Sequence, residues 1–372
     1  MANVPLPRAW RATPGGAKRA RALGLAFPGR PGANNAITDV PGVTIGTATL
    51  ISGEGALTVG EGPVRTGVTA ILPRGRDGLS TPCWAGSSML NGNGELTGSW
   101  WLAETGRLEL AITLTNTHSV GLARDASLEW AFRHMSGAAL AQDWGLPVAA
   151  ETYDGYLNDI NGFHVTKEDV FEALESAKDG PIEEGSLGGG TGMICYGFKG
   201  GNGTASRQVR VGGLGFTLGV FVQANFGKPK DLTLLGRRIG QKVEDKDGIA
   251  DVAIDRCGSG SIIAVIATDA PLLPHQLRRL ARRVPLGLAR TGTQGDHSSG
   301  DIFLAFSTAN AEALNGEGLK QASFLSEDSL DPLFGAVVEG VEEAIANALV
   351  ANKDLRGIND RLVRALPHSL LR

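Results

Sequence analysis

Residues 258–270 read GSGSIIAVIATDA, and this stretch predicts the central strand of the fold. After Ser261 the run is continuously apolar, which is typical of a strand buried on both faces. A second run of the same kind, DIFLAFSTAN at residues 301–310, follows the loop TGTQGDHSSG. The sequence therefore predicts two buried strands, each preceded by a loop that carries hydroxyl side chains.

The segment between the two predicted strands is expected to be helical. After Pro274, a residue that favours a helix start, apolar residues recur at i, i+3, i+4 and i+7: Leu277, Leu280, Ala281 and Val284. A strand, a helix and a second strand in this order form a parallel pair whose amino-terminal ends coincide. Ser299 and Asp301 would then approach Ser261.

This geometry would allow Ser261 to attack the preceding peptide bond. Attack of its Oγ on the carbonyl of Gly260 moves the acyl group from nitrogen to oxygen, and hydrolysis of the ester then cuts the chain. The freed α-amine of Ser261, with an ordinary pKa of about 7.7–8, can serve as the base for its own hydroxyl. Taken singly, the residues also fit plainer roles: a turn serine at 261, a turn cap or strand-edge charge at Asp301 and a solvated loop histidine at His297.

Composition narrows the class of protein. The chain has 372 residues with 35 Lys and Arg against 39 Asp and Glu, a net charge of −4, which argues against a nucleic-acid partner. Hydrophobic residues make up 42% of the chain, enough for a large core. No apolar run approaches the ~18 residues of a membrane span, so no membrane partner is expected.

The sequence gives no signal for a metal or another cofactor. The three cysteines, Cys83, Cys195 and Cys257, show no CxxC spacing, and the six histidines never pair at HxH or HExxH spacing. The glycine-rich residues 188–192 lack the GxxxxGK[ST] pattern of a phosphate loop and are expected to pack closely against other backbone. We therefore expect no cofactor, no metal, no disulfide framework and a reducing, cytoplasmic location.

The order of elements predicts a mixed α and β domain. Short apolar runs with turn punctuation predict strands from residue 36 onward, and helical patterns occur at residues 123–134, 166–176 and 333–352. Residues 1–30 hold several basic side chains and are expected to form a loose basic tail before a single domain at residues 31–372. The polar stretch 229–258 is expected to be an exposed connection.

Eight ordered motifs give the chain a specific resemblance. It resembles the L-aminopeptidase/D-esterase (DmpA-like) and β-peptidyl aminopeptidase family of self-processing serine hydrolases. The motifs are NAITDVPGV (35–43), NGNGELTG (91–98), TNTHSVG (115–121), AETYDGYLNDI (150–160), GGGTGMICYGFKGG (188–201), VQANFG (222–227), GSGSIIAVIATDAPLLPHQL (258–277) and GDHSSGD (295–301).

The resemblance implies a fold and a processing event. The fold is α+β, a four-layer αββα sandwich similar to that of the N-terminal-nucleophile (Ntn) hydrolases but with different connectivity. Self-cleavage at Gly260–Ser261 would give an α chain of residues 1–260 and a β chain of residues 261–372 that remain together. A homo-oligomer, a tetramer of αβ units, is also implied, and the apolar last helix could serve its interface.

The resemblance also assigns roles to residues. Ser261 matches the nucleophile, and Ser299 and Asp301 match the residues that orient it, although some members carry Glu in place of Asp301. Asn225 matches the oxyanion donor, a role that suits a neutral, fixed amide. In the motif at 150–160, Glu151 and Tyr153 match residues near the substrate amine, where a carboxylate can bind the cationic end of a peptide.

The function that follows is that of an autocatalytically activated aminopeptidase. It would hydrolyse the amino-terminal residue of short peptides, amino-acid amides or esters through an acyl-serine intermediate, with small residues such as alanine or β-alanine favoured on family grounds. A self-processing acyltransferase of similar architecture is an alternative, and acceptor-dependent product formation would reveal it. A non-catalytic binding relative is a second alternative, against which the complete set of Ser261, Ser299, Asp301 and Asn225 speaks.

Overall fold

The computed structural model describes residues 6–135, 144–243 and 260–372. Its strands are β1 Thr44–Ser52, β2 Val64–Leu72, β3 Cys83–Gly92, β4 Arg107–Leu108, β5 Ile112–Asn116, β6 Val148–Thr152, β7 Ile194–Cys195, β8 Phe198–Lys199, β9 Gly201–Val211, β10 Leu214–Asn225, β11 Thr233–Leu234, β12 Arg237–Arg238, β13 Ser261–Thr268, β14 Gly300–Ser307, β15 Leu355–Arg356 and β16 Leu362–Val363. Its α-helices are α1 Arg8–Arg11, α2 Ser99–Thr105, α3 Val120–His134, α4 Lys167–Glu175, α5 Pro274–Ala281, α6 Val284–Arg290, α7 Ala311–Leu314 and α8 Asp331–Val350.

Two sheets form the centre of the molecule. The first has the strand order β1-β2-β5-β6, and the second has the order β4-β3-β14-β13-β10-β9. Helices α3 and α4 pack on the first sheet, and α5 and α8 pack on the second, with α6 against α8. The layers therefore run helix, sheet, sheet, helix, which confirms the predicted α+β, four-layer αββα sandwich.

The side chains of β13 show why the layers stay together. Ile262, Ala264 and Ile266 belong to the apolar core under α5 and α8. The alternate residues Ile263 and Val265, with Ala267, belong to the core between the two sheets. Successive side chains of a strand point to opposite faces, so this one strand contributes to two cores, as its continuous apolar run predicts.

The predicted parallel pair is present. β13 pairs in parallel with β14, with Ile262 opposite Asp301, so the two strands begin at the same edge of the sheet. The intervening segment folds as α5 and α6, separated by Arg282 and Arg283, and the predicted apolar face is buried. The predicted helix start at Thr166 is also confirmed, because Thr166 and Asp169 form a capping box.

Two expectations about exposed elements are wrong. The last helix, α8, is buried along nearly its whole length against β9 and β10, so its apolar face is used inside this chain and is not free for an interface. In the polar stretch 229–258, Leu232, Leu234 and Ile239 are fully buried. The expectation was wrong because charged neighbours outnumber these apolar residues in the sequence. Residues 244–258 of the stretch lie outside the described residues.

The expectation of a loose basic tail is wrong for residues 6–30. Arg19 is 2% exposed, and its Nε donates to Oε2 of Glu184 at 2.7 Å. Its Nη2 also donates to the backbone carbonyl of Thr204 at 2.9 Å. Arg19 and Arg21 of this segment pair with carboxylates buried in the domain, Glu184 and Glu343. These partners are too distant in sequence to be recognised from composition.

Glu343 of α8 is the main anchor for this segment. Arg21 donates to both of its carboxylate oxygens, at 2.6 and 2.7 Å, and Asn35 donates at 2.6 Å. Nη2 of Arg207 lies 2.8 Å from Oε2 of Glu343. Burial acts to raise the pKa of Glu343, but the hydrogen bond from Arg21 and the charges of Arg207 and Arg21 hold it below its ordinary value.

Glu343→Gln is expected to lower the free energy of unfolding by about 3–5 kcal/mol, because it removes the buried carboxylate that pairs with the guanidinium groups of Arg21 and Arg207. Urea unfolding at pH 7 measures the loss. Glu339→Gln is the matched control: Glu339 also contacts Arg207, but its side chain is 26% exposed, so its loss should stay within about 1 kcal/mol. Equal losses in the two variants would contradict the role of Glu343.

The wild-type protein should also show the pH dependence of this anchor. The pKa of Glu343 is lower in the folded than in the unfolded chain, so its contribution is complete above the unfolded value of about 4.3. The contribution is lost as the pH falls through the lower folded value. Stability measured between pH 7 and pH 3 should therefore fall less steeply in Glu343→Gln than in the wild type.

Candidate active site

Ser261 lies where three strands of one sheet meet. It is the first residue of β13 and lies opposite Asn225, the last residue of the antiparallel strand β10. On the other side, β14 begins with Gly300, whose backbone N–H donates to Ser261 Oγ at 3.2 Å. The strand ends thus bring residues 225, 261 and 299–301 to one point. The predicted parallel pairing accounts for residues 261 and 299–301, whereas the pairing with β10 adds Asn225.

Ser299 contacts the carbonyl of the bond that precedes Ser261. Its Oγ donates to the carbonyl oxygen of Gly260 at 2.5 Å and lies 2.6 Å from Oδ1 of Asp301. The hydroxyl has one proton, so a bond to the carbonyl leaves the Ser299 oxygen free to accept one. Burial raises the pKa of the Asp301 carboxyl, although its hydrogen bonds with Ser299 and Asn91 oppose this shift.

Asn91 is a site residue that the sequence reasoning missed. Its Nδ2 donates to Oδ2 of Asp301 at 3.1 Å and to the backbone carbonyl of Asp296 at 3.0 Å. It lies on β3, which pairs antiparallel with β14 and has a register irregularity at Asp301 and Ile302. The NGNGELTG motif pointed to this stretch, but the register that brings Asn91 to Asp301 cannot be read from either strand alone.

Gly260 is required because two backbones come close together at this point. Glycine often occupies positions with a positive φ, but Gly260 is not among the described residues with positive φ. A Cβ at this position would collide with the backbone carbonyl of Asn225. The glycine therefore permits a close approach of two backbones, while Gly258 lies outside the described residues.

Both polar atoms of the Asn225 carboxamide form hydrogen bonds with the backbone. Its Oδ1 accepts from the backbone N–H of Ile194 at 2.8 Å, and its Nδ2 donates to the backbone carbonyl of Tyr153 at 2.9 Å. A Cβ built on Gly260 would lie 3.3 Å from Nδ2. Nδ2 therefore lies close to the backbone that precedes Ser261.

Glu151 belongs to β6 of the other sheet and lies near the beginning of β14. It is 4% exposed, its Oε1 accepts from the backbone N–H of Glu95 at 3.0 Å, and its Oε2 accepts from the Thr117 hydroxyl. A Cβ on Gly94 would lie 3.0 Å from Oε1 of Glu151 and 3.7 Å from Cα of Gly300. Gly94 therefore separates the carboxylate from the strand end that contacts Ser261.

The environment of Glu151 changes its acidity. Burial raises its pKa, the bonds from Thr117 and Glu95 N–H oppose the shift, and the Glu95 carboxylate adds to it. A buried carboxylate of this kind gains from a cation placed beside it. Tyr153, the other residue expected near the amine, contributes its backbone carbonyl to Asn225 and is 38% exposed.

A cavity of about 380 Å³ opens beside Gly94. Its lining combines apolar side chains with hydroxyl groups: Ser87, Ser88, Met89, Leu96, Ser99, Trp100 and Ile302 are among the lining residues. Trp100 is 89% exposed, so it stands at the open side of the cavity. The cavity can therefore hold a small side chain next to the strand end that begins with Gly300.

Three further expectations concern ligands and compartments. Across residues 6–135, 144–243 and 260–372, no three His, Cys, Asp or Glu side chains are grouped to hold a metal. Cys83 and Cys195 are buried free thiols, whereas Cys257 lies outside the described residues. Within the part of the chain that the structure describes, no helix has both the length and the apolar character needed to span a membrane.

Comparison with known proteins decides the family. Residues 35–363 match peptidase family S58. The chain belongs to peptidase family S58. It is 48% identical over 370 residues to the β-peptidyl aminopeptidase BapA of Sphingosinicella microcystinivorans, covering 95% of this chain and 91% of the relative. It is 45% identical over 362 residues to BapA of Sphingosinicella xenopeptidilytica, covering 95% and 90%.

A solved structure supports the same assignment. The L-aminopeptidase D-Ala-esterase/amidase of Ochrobactrum anthropi superposes with a TM-score of 0.88 at 46% identity, covering 95% of this chain and 96% of that one. That protein is described as a prototype of the serine aminopeptidases and a variant of the Ntn-hydrolase fold. This S58 peptidase is therefore a serine aminopeptidase with an Ntn-type fold, which confirms the family and the enzyme class expected from the motifs.

Gly260→Ala is expected to leave the chain uncut, because the added methyl group pushes Gly260 away from Asn225 and takes its carbonyl out of reach of Ser299. The intact mass of the denatured protein measures the fraction cut. Gly215→Ala, on the same strand as Asn225 but with open space around it, is the matched control and should be cut as the wild type is. Normal cutting of Gly260→Ala would contradict this account of the close approach.

Proposed function

We propose that this S58 peptidase cuts itself between Gly260 and Ser261 and then removes the amino-terminal residue from short peptides, amino-acid amides or esters. The observation that carries the proposal is the pair of contacts at this bond: Ser299 bonded to the Gly260 carbonyl and Gly300 N–H bonded to Ser261 Oγ. One contact polarises the carbonyl that is attacked, and the other orients the attacking oxygen.

In the proposed self-cleavage, Ser261 Oγ adds to the carbonyl carbon of Gly260. Negative charge develops on the carbonyl oxygen, where the Ser299 hydroxyl stabilises it, with Asn225 Nδ2, which lies beside Gly260, as the second donor. The bond from carbon to the Ser261 nitrogen then breaks, and the nitrogen takes up the hydroxyl proton. Water hydrolyses the resulting ester, which leaves a carboxylate at Gly260 and both a free amine and a free hydroxyl at Ser261.

In the proposed turnover, the freed α-amine of Ser261 takes the proton from its own Oγ as that oxygen attacks the substrate carbonyl. Asn225 Nδ2 donates to the oxyanion, and the leaving amine receives the proton from the Ser261 ammonium. Water then attacks the acyl-serine ester and releases the first residue. Each step uses only groups that the strand ends place together.

Glu151 supports an exopeptidase over an endopeptidase in this proposal. Its buried carboxylate can bind the substrate ammonium, so a chain without a free amino terminus forfeits that contact. The names of the curated relatives support β-amino residues, and that of the Ochrobactrum structure supports L-residues and D-Ala esters or amides. We propose small first residues of these kinds, with β-alanine included, which the adjoining cavity of about 380 Å³ can hold.

The proposed α and β chains would stay together after the cut. Glu343 would belong to the β chain, whereas Arg21, Asn35 and Arg207 would belong to the α chain, so the buried charge network would join them. A homo-oligomer, a tetramer of αβ units, stays a prediction from the family resemblance. The free thiols of Cys83 and Cys195 support the proposed cytoplasmic location.

The denatured mass of the purified protein tests the self-cleavage. We expect two pieces that sum to 38.7 kDa plus one water, with the smaller piece beginning at Ser261. Ser261→Ala should give one uncut chain, because it has no oxygen to attack Gly260. A single 38.7 kDa species in the wild type after long incubation would overturn the proposal and favour a binding protein without turnover.

Glu151→Gln tests the recognition of the amine. We expect KM for a β-alanyl or alanyl p-nitroanilide to rise about 10-fold or more, because a charge-assisted contact of about 1.5–3 kcal/mol is lost. In the wild type, KM should rise as the pH falls through the raised pKa of Glu151, because the protonated form cannot bind a cation. Glu109→Gln, a carboxylate paired with Arg107 elsewhere, is the control; an unchanged KM in Glu151→Gln would contradict the assignment.

A further inference from the structure

One peptide group connects a buried lysine to Asn225. The N–H of Ile194 donates to Asn225 Oδ1 at 2.8 Å. The carbonyl of the same peptide group, that of Met193, accepts from Nζ of Lys199. The lysine and the asparagine are therefore bonded to opposite ends of a single planar amide.

Lys199 is a buried lysine whose amino group donates to backbone carbonyls. It is fully buried, and its Nζ donates to the carbonyls of Met193 and of Gly200, the latter at 3.2 Å. Its backbone is fixed as well, because its N–H donates to the Arg364 carbonyl at 2.8 Å and its carbonyl accepts from Asn352 at 2.8 Å. The ammonium group is thus held against the Met193 carbonyl with little freedom to move.

Hydrogen bonds in a chain polarise one another. A positive donor on the Met193 carbonyl draws electron density through the amide and makes the Ile194 N–H a stronger donor. A stronger bond at Asn225 Oδ1 draws density from the carboxamide in the same way, which makes its remaining N–H a stronger donor. The effect of Lys199 would therefore reach the atom that faces an oxyanion.

The Tyr153 carbonyl fixes the direction of this chain. It accepts from Asn225 Nδ2 at 2.9 Å, so the carboxamide lies between one backbone donor and one backbone acceptor. A flipped Asn225 would place oxygen against the Tyr153 carbonyl and nitrogen against the Ile194 N–H. The side chain therefore has one favourable orientation, with Nδ2 on the side of the Gly260–Ser261 bond.

We propose that Lys199 is a positioning residue for the reaction: through the Met193–Ile194 peptide group it orients and polarises Asn225, the oxyanion donor. This inference rests on the proposed function of Asn225 and Ser261. Nζ of Lys199 donates to the backbone carbonyls of Met193 and Gly200, so we expect it to act on the transition state through Asn225 and to leave substrate binding unchanged.

The charge state of Lys199 agrees with this role. Burial lowers its pKa to about 7, and the negative charge of Asp154 opposes that shift. Both the ammonium and the neutral amine are therefore present near neutral pH. Both forms donate to the Met193 carbonyl, and the ammonium donates more strongly.

A double-mutant cycle between Lys199 and Asn225 tests the proposal. Lys199→Gln keeps a neutral donor, Lys199→Met removes it, and each is made in the wild type and in Asn225→Ala. The assay follows hydrolysis of β-alanyl p-nitroanilide at pH 7, with kcat expressed per cut chain from the denatured mass. Where a variant matures too slowly for turnover to be assayed, the same cycle is read on the first-order rate of self-cleavage.

We expect Lys199→Gln to lower kcat about 10-fold, since charged hydrogen bonds are about twice as strong as neutral ones, and Lys199→Met to lower it further. KM should stay within about twofold in both. Asn225→Ala should lower kcat by about 10²–10³-fold. In that background the Lys199 variants should cost no more than about a further twofold, because their route to the oxyanion is gone.

Full additivity of the two losses would overturn the proposal, as would a rise in KM that accounts for the effect. Glu184→Gln is the matched control for lost stability: Glu184 is a buried partner of Arg19, and its variant should lower the melting temperature while kcat per cut chain is unchanged. Absence of turnover in fully cut wild-type protein would instead overturn the proposed function, while the cycle on self-cleavage would still decide the role of Lys199.

Discussion

The chemistry of this chain depends on the parallel pairing of β13 with β14. The pairing brings the amino-terminal ends of both strands to one edge of the sheet, with Ile262 opposite Asp301. From this single register follow the bond of Gly300 N–H to Ser261 Oγ and the bond of Ser299 to the Gly260 carbonyl. A shift of one residue would turn every side chain to the other face and separate these groups, so the two cores on either side of β13 also maintain the site.

Much of this arrangement could be predicted from the sequence. The apolar runs at residues 261–268 and 301–307 predicted buried strands, and the intervening helical pattern predicted that they are parallel. Local chemistry was sufficient here, because periodicity and connection length limit the possible pairings. Ser261, Ser299 and Asp301 were brought together by that reasoning alone, whereas Asn225 and Glu151 needed the motif resemblance.

The parts that could not be predicted depend on contacts between distant segments. Arg19 and Arg21 looked like members of a loose tail because their partners, Glu184 and Glu343, are more than 150 positions away in sequence. Asn91 depends on a register irregularity between β3 and β14. The connection from Lys199 to Asn225 runs through a backbone peptide group, and no pattern of residue types in the sequence indicates such a contact. In each of these cases the deciding information lies in tertiary geometry.

The network at Glu343 determines how the protein recovers from unfolding before and after cleavage. In the uncut chain the groups that meet at Glu343 are joined by peptide bonds, so refolding is a first-order event whose yield does not depend on protein concentration. Once the bond before Ser261 is cut, the same contacts hold two separate polypeptides, and recovery from unfolding becomes a second-order encounter. The mature protein would then have an apparent melting temperature that falls on dilution, and its refolding yield would depend on protein concentration.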